Sequence, residues 1–165
     1  MRSSRVSPYV FSQAQFPTGA TPYSVVVGDF NGDGRLDLAV ANADSANGNT
    51  VSILLGRVDL TFAPKVDYAT GAAPYAVIAA DFNGDGKLDL AVGEPNNHTI
   101  SVLLGNGDGT FQSHVDLAVG QGPRSLAAGD FNNDGKVDIA VANQTDNTVS
   151  ILLGVGGGAF TSHVD

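Results

Sequence analysis

A chain of 165 residues with 42% hydrophobic side chains is long enough for one domain or one array of repeats and apolar enough to bury a core, which excludes a disordered polymer. The formal net charge of −9 argues against a nucleic-acid partner, which calls for a basic face. The lack of cysteine excludes disulfides and thiolate metal sites. No apolar run reaches the length of a membrane-spanning helix, and the opening Met1-Arg2-Ser3-Ser4-Arg5-Val6 lacks the apolar middle of a signal peptide.

In chain order, residues 11–19 first read as the last strand of a repeat whose earlier strands are missing. A Gly-x-x-Pro lead follows at Gly19 to Pro22 and recurs at Gly71 to Pro74 and Gly120 to Pro123. After each lead comes a short apolar run (24–28, 76–80 and 125–129), then an acidic nine-residue loop, then a second apolar run (36–41, 88–93 and 137–142). A polar turn leads to a third run (50–55, 99–104 and 148–153), and a glycine-containing turn to a last segment headed by Phe62, Phe111 or Phe160. Runs this short, rich in Val, Ile and Leu and bounded by Gly, Asn and Asp, predict strands. Apolar stretches such as Val25-Val26-Val27 suit strands covered on both faces by neighbouring sheets. Four strands in each repeat of about 50 residues point to propeller blades rather than a sandwich. The first repeat is longer because 42–49 replaces a shorter turn, an insertion that lengthens a loop without disturbing strands.

The three loops are the most informative feature. They read Asp29-Phe30-Asn31-Gly32-Asp33-Gly34-Arg35-Leu36-Asp37, Asp81-Phe82-Asn83-Gly84-Asp85-Gly86-Lys87-Leu88-Asp89 and Asp130-Phe131-Asn132-Asn133-Asp134-Gly135-Lys136-Val137-Asp138. Side-chain oxygens at positions 1, 3, 5 and 9, with a backbone carbonyl expected from position 7, are the ligand set of a hard cation, and Ca²⁺ takes six to eight such oxygens. The expected ligands are therefore Asp29, Asn31, Asp33, Arg35 and Asp37; Asp81, Asn83, Asp85, Lys87 and Asp89; and Asp130, Asn132, Asp134, Lys136 and Asp138. The three position-7 residues contribute through the main chain, their cationic heads expected in solvent. The nine loop aspartates account for the whole acidic excess, because the remaining eight acids match the eight Lys and Arg. The position-2 phenylalanines are expected under the loops as core.

Lookalikes fail on specific residues. An EF-hand needs Glu at position 12 and flanking helices, whereas position 12 here is Val40, Val92 or Val141 at the heart of a strand-like run. The repeat period is too long for a glycine-rich β-roll. Gly154-Val155-Gly156-Gly157-Gly158 precedes a strand, so it is a turn and not a phosphate cradle. His114 and His163 occupy a repeat position held by Lys65 in the first repeat, which marks it as exposed. Glu94, the one glutamate, has no partner that the sequence identifies.

These loops, the Leu-Asp-Leu-Ala-Val type continuations (36–40, 88–92 and 137–141) and the Gly-Ala-x-Pro leads resemble the FG-GAP/VCBS repeats, the propeller blades of integrin α-subunits and many bacterial surface proteins. The likeness runs from about Phe11 onward. It implies an all-β fold of three four-stranded antiparallel blades, each binding Ca²⁺ in the loop joining its first two strands. The expected division is 1–21 as tail and leading strand, 22–73 as blade 1, 74–122 as blade 2 and 123–165 as blade 3. The resemblance further implies a non-catalytic binding or adhesion scaffold, outside the cell or at its surface, with a protein or carbohydrate ligand. Three blades make an arc with open edges, since closed propellers have 4–8, so the chain is expected either to belong to a longer propeller or to close a ring with a second copy. A self-assembling subunit and an accessory segment of a secreted enzyme are the alternatives.

Overall fold

A computed structural model describes residues 14–43 and 49–162. The described chain is all-β. Blade 1 consists of β1 (Pro22–Gly28), β2 (Asp37–Asn42), β3 (Thr50–Leu54) and β4 (Val66–Ala69), hydrogen-bonded in that order. Blade 2 repeats it with β5 (Ala76–Ala80), β6 (Asp89–Glu94), β7 (Thr99–Leu103) and β8 (Val115–Ala118). Blade 3 holds β9 (Pro123–Gly129), β10 (Asp138–Asn143) and β11 (Thr148–Leu152), followed by a hairpin of β12 (Gly154–Gly156) and β13 (Ala159–Phe160). All pairings are antiparallel. Among the described residues blade 3 thus has three strands in its sheet, and the sheets do not close into a ring.

The blades stack face to face. Phe30, Ala39, Ala41, Val51 and Ile53 of blade 1 form one core with Val77, Leu90, Val92, Leu103 and Phe111 of blade 2. Phe82, Ala91, Ile100 and Val102 of blade 2 form a second core with Val119, Ile139, Val141 and Leu152 of blade 3. Alternate residues of a strand point to opposite faces, so blade 2 must be apolar on both, and all six residues of β6 are buried. The same expectation fails for Val25-Val26-Val27. Val25 and Val27 are exposed and only Val26 packs against the core, because among the described residues no sheet covers the other face of blade 1. The leading segment also differs from expectation: residues 14–19 join none of the sheets. Residues 11–13 and the centre of the insertion, 44–48, lie outside the described residues.

Each blade is fastened at both ends. At the end opposite the loops, the last residue of the second strand is a buried polar side chain: Asn42, Glu94 or Asn143. In blade 1 the Asn42 amide donates to Ser52 Oγ (2.9 Å), which donates to Asp67 (2.6 Å) and accepts from the Gly19 N–H (3.1 Å). Blade 3 repeats the first of these from Asn143 to Ser150 (2.7 Å) and the last from Gly120 to Ser150 (3.0 Å). The lead glycine is dictated by this contact, since a Cβ at Gly19 would lie 2.6 Å from Asn42 Cγ. At the same end Tyr23 stacks on Tyr75 (4.7 Å between centroids), and the Arg124 guanidinium lies 4.3 Å above Tyr75. These three occupy one repeat position, a ladder that the sequence reading passed over.

Candidate metal centres

The nine-residue loops join the first and second strands of each blade, and tight turns shape them. Gly34, Gly86 and Gly135 at position 6 have φ of 80–82°, the left-handed region that a Cβ disfavours. Position 4 is also left-handed, at Gly32, Gly84 and Asn133 (φ 59°). Asn is the side chain best suited to replace glycine there, which explains the one departure in the third loop.

The position-1 carboxylate gathers the turn around itself. Asp29 accepts the N–H groups of Gly32 (2.8 Å), Asp33 (3.1 Å) and Gly34 (2.8 Å). Asp81 does the same with Gly84, Asp85 and Gly86, and Asp130 with Asp134 and Gly135. Position 3 accepts from the position-5 N–H at Asn31 (3.1 Å), Asn83 (2.8 Å) and Asn132 (3.0 Å). Position 5 accepts from the position-7 N–H at Asp33, Asp85 and Asp134. These bonds hold Asp29 and Asp85 below the usual carboxylate range, chiefly through the Gly34 N–H for the first and the Lys87 N–H for the second. Asp134 is lowered first by the Lys136 ammonium and then by its N–H.

Position 9 behaves differently. Asp37, Asp89 and Asp138 are fully buried. One oxygen of each accepts the position-2 N–H: Phe30 (2.9 Å), Phe82 (2.9 Å) or Phe131 (2.8 Å). The other accepts an N–H just after the third strand: Gly56 (2.7 Å), Gly105 (2.8 Å) or Gly154 (2.8 Å). The carboxylate thus clasps the loop to the far side of its own sheet. Burial raises the pKa of Asp89, against the pull of the Gly105 and Phe82 hydrogen bonds. The sequence marked this residue as a ligand alone, and nothing in the spacing announced the clasp.

One expectation gains detail and another is corrected. The position-7 side chains do not simply enter solvent: Arg35 and Lys136 pair with Asp33 and Asp134, and Lys87 Nζ lies 3.5 Å from Asp85. Each cation turns back onto the carboxylate two residues away, and its side chain stays partly exposed. Phe30 and Phe82 are core, but Phe131 is 49% exposed, because a loop phenylalanine is buried by the next blade and among the described residues none covers Phe131.

The donor set suits a hard cation. Each loop offers four oxygen-bearing side chains, all acceptors, with Gly at the bend. A carboxylate has about four acceptor sites, so the two hydrogen bonds on each position-9 Asp leave capacity for a metal. Among the described residues no three His, Cys, Asp or Glu side chains stand together as a closed metal-holding group; the carboxylates are turned to the backbone donors and cations above.

The histidines form no catalytic constellation among the described residues. His98 is an exposed turn residue whose Nδ1 accepts the Gly122 N–H (3.3 Å). His114 lies 3.7 Å from Asp116, as Lys65 pairs with Asp67. His163 lies outside the described residues. Glu94 is the residue that sequence reasoning undervalued. It is fully buried, meeting Gly71 N–H (2.6 Å), Thr99 Oγ1 (2.8 Å) and Ser101 Oγ (2.5 Å). Its signal was present in the repeat alignment, where Asn42 and Asn143 stand at the same position.

Face-packed antiparallel sheets, two of four strands and one of three, each with an acidic loop between its first two strands, define a protein built of propeller-type blades. The FG-GAP-like repeat matches residues 7–40, 29–92 and 81–141, and the FG-GAP repeat matches residues 122–161. The chain belongs to the FG-GAP repeat family. Its repeats are β-propeller blades, commonly extracellular and typically non-catalytic scaffolds. No significant match to a curated protein is found.

Proposed function

We propose that this chain is a calcium-stabilised, non-catalytic binding module acting outside the cell or at its surface. The observation that carries the reading is the threefold repetition of one loop, with the same donors at positions 1, 3, 5 and 9 and the same backbone bonds shaping it. Asp29, Asn31, Asp33 and Asp37, with the Arg35 carbonyl, would hold the first ion; the corresponding residues of the other loops would hold the second and third. Bound Ca²⁺ would draw the loop carboxylates inward and supply the positive charge that offsets their mutual repulsion. Two like charges about 4 Å apart cost about 4 kcal/mol at an effective dielectric near 20.

The loops also lie where blades meet, which ties metal binding to stacking. The Gly109 N–H of blade 2 donates to the Phe30 carbonyl in the first loop (2.9 Å), and the Gly157 N–H of blade 3 donates to the Asn83 carbonyl in the second (3.3 Å). An ordered loop therefore presents an ordered edge to its neighbour. The ligand is a protein or carbohydrate by analogy with the family.

Calorimetry in chelator and across a Ca²⁺ series tests the metal. Three sites at free Ca²⁺ equal to their dissociation constants add about 1.2 kcal/mol, which raises Tm by about 2–5 °C at this size. A melting temperature that neither falls in chelator nor rises with Ca²⁺ overturns the reading.

A further inference from the structure

The blade-to-blade contact is built twice from corresponding residues. Phe30 of blade 1 meets Phe111 of blade 2 edge-on, with centroids 5.7 Å apart at 66°, and Phe82 of blade 2 meets Phe160 of blade 3 at 5.8 Å and 67°. Leu88 of blade 2 fills the space over Gly28 of blade 1, where a Cβ would be 2.6 Å from its Cδ1. Leu55 of blade 1 and Leu104 of blade 2 reach Gly109 and Gly158 on the following blade in the same way.

The two outer faces of the arc present the two halves of this contact. The far face of blade 3 offers Phe131, 49% exposed, beside Gly129. The near face of blade 1 offers Phe62 and the 67% exposed Leu36, which line a groove of ≈ 310 Å³ with Arg57 and Leu60. Phe111 has two aromatic partners, Phe30 from the preceding loop and Tyr68 from the preceding outer strand (5.5 Å). Among the described residues Phe62 has one, Phe16, at 5.0 Å in the place of Tyr68. The lead segment also holds its Gly19 N–H on Ser52 Oγ (3.1 Å), as Gly71 does on Ser101 (3.2 Å). Part of a preceding blade's outer strand is therefore already in place on blade 1, and what Phe62 lacks among the described residues is a loop phenylalanine.

We propose that a second copy of this chain supplies it: the far face of blade 3 docks head to tail on the near face of blade 1, with Phe131 against Phe62 and Leu36 over Gly129. Made at both ends, this contact joins two three-bladed arcs into a six-bladed ring, within the range of closed propellers, and a heterologous contact that closes gives a finite assembly. Charge favours the same occupant. Arg57 stands where blade 2 has Asn106 and blade 3 has Val155, on the turn that packs beside the preceding acidic loop, so it would face the 130–134 loop of the other copy. One residue opposes the contact. Leu60, 90% exposed with φ of 63°, takes the position of Gly109 and Gly158 and would meet Leu153 of the incoming blade.

Sedimentation equilibrium in Ca²⁺ buffer, over a wide concentration range, tests the proposal on the full chain. A concentration-dependent monomer–dimer equilibrium is expected. Phe131→Asp should weaken it by roughly 30-fold or more, as for a central interface aromatic, with strand circular dichroism unchanged because Phe131 is half exposed in the monomer. Arg57→Glu should weaken it as well, and Leu60→Gly should tighten it. A chain that stays monomeric throughout, or a dimer indifferent to Phe131→Asp, overturns the proposal.

Discussion

The Glu94→Asn variant tests how the buried network in blade 2 holds its protons. In blade 1 every contact has one donor and one acceptor: the Asn42 amide donates to Ser52 Oγ, and Ser52 donates to Asp67. In blade 2 Ser101 Oγ lies 2.5 Å from Glu94 and 2.7 Å from Asp116. The hydroxyl has one proton for two carboxyl groups, so both contacts are hydrogen bonds only when one of the two acids is protonated. Glu94 is the one whose burial raises its pKa, with the charge of Asp116 adding to the rise; Ser101, Thr99 and the Gly71 N–H pull the other way. Asp116 is more exposed and has His114 nearby. A folded-state pKa above the unfolded value means that the stability contributed by Glu94 is fully present below the ordinary glutamate range and is lost as pH rises through the folded value. Asn supplies an amide donor at every pH, as it does in blades 1 and 3. The loss it removes is that of a buried polar contact left unmade, about 1–3 kcal/mol, or about 2–10 °C in Tm at this chain length. Denaturant unfolding of both proteins in chelator, near pH 4 and near pH 7.5, keeps metal out of the comparison and cancels the loop carboxylates. The variant should gain stability over wild type as pH rises, with little gain at the acid end. A gap that does not change with pH, or a variant less stable at neutral pH, refutes the proton count.

Three further substitutions separate structural from metal roles. Asp89→Ala strips the acceptor from the Phe82 and Gly105 N–H groups and should cost about 2–5 kcal/mol even in chelator, whereas Asp85→Ala, exposed at position 5, should cost little in chelator and mainly reduce the gain from Ca²⁺; equal losses in chelator would contradict this division. Gly105→Ala drives a Cβ into the Leu88 carbonyl oxygen, a backbone atom that cannot rotate away, and should destabilise by about 1–3 kcal/mol, read by denaturant midpoint; a neutral result would mean that the sheet has slack at that turn. Phe82→Ala, deep between blades 2 and 3, should cost about 3–5 kcal/mol, while Phe131→Ala in the monomer should cost far less; comparable losses would mean that the far face of blade 3 is already covered.

The repeat, the order of the strands along the chain and the residue pattern of the loops are legible in the amino-acid sequence alone. Short Val- and Leu-rich runs between glycines and aspartates have one economical solution, and the first three strands of each blade begin and end within about two residues of the runs read from the chain, whereas β4 and β8 begin four residues after Phe62 and Phe111. The spacing of the loop's oxygen-bearing side chains is equally local: positions 1, 3, 5 and 9 follow from residue identity, and the left-handed glycines at position 6 impose the bend. The surroundings of each copy of a repeated residue come from the packing of the blades. Phe30, Phe82 and Phe131 are the same letter in the same motif, yet two are core and the third is half exposed, because burial is conferred by the next blade and not by the loop. Asp37 and Glu94 make the same point for polar groups. Their hydrogen-bond partners lie on other segments of the chain, up to 23 residues away for Glu94 and Gly71, and the packing of strands and turns sets those distances while sequence spacing does not.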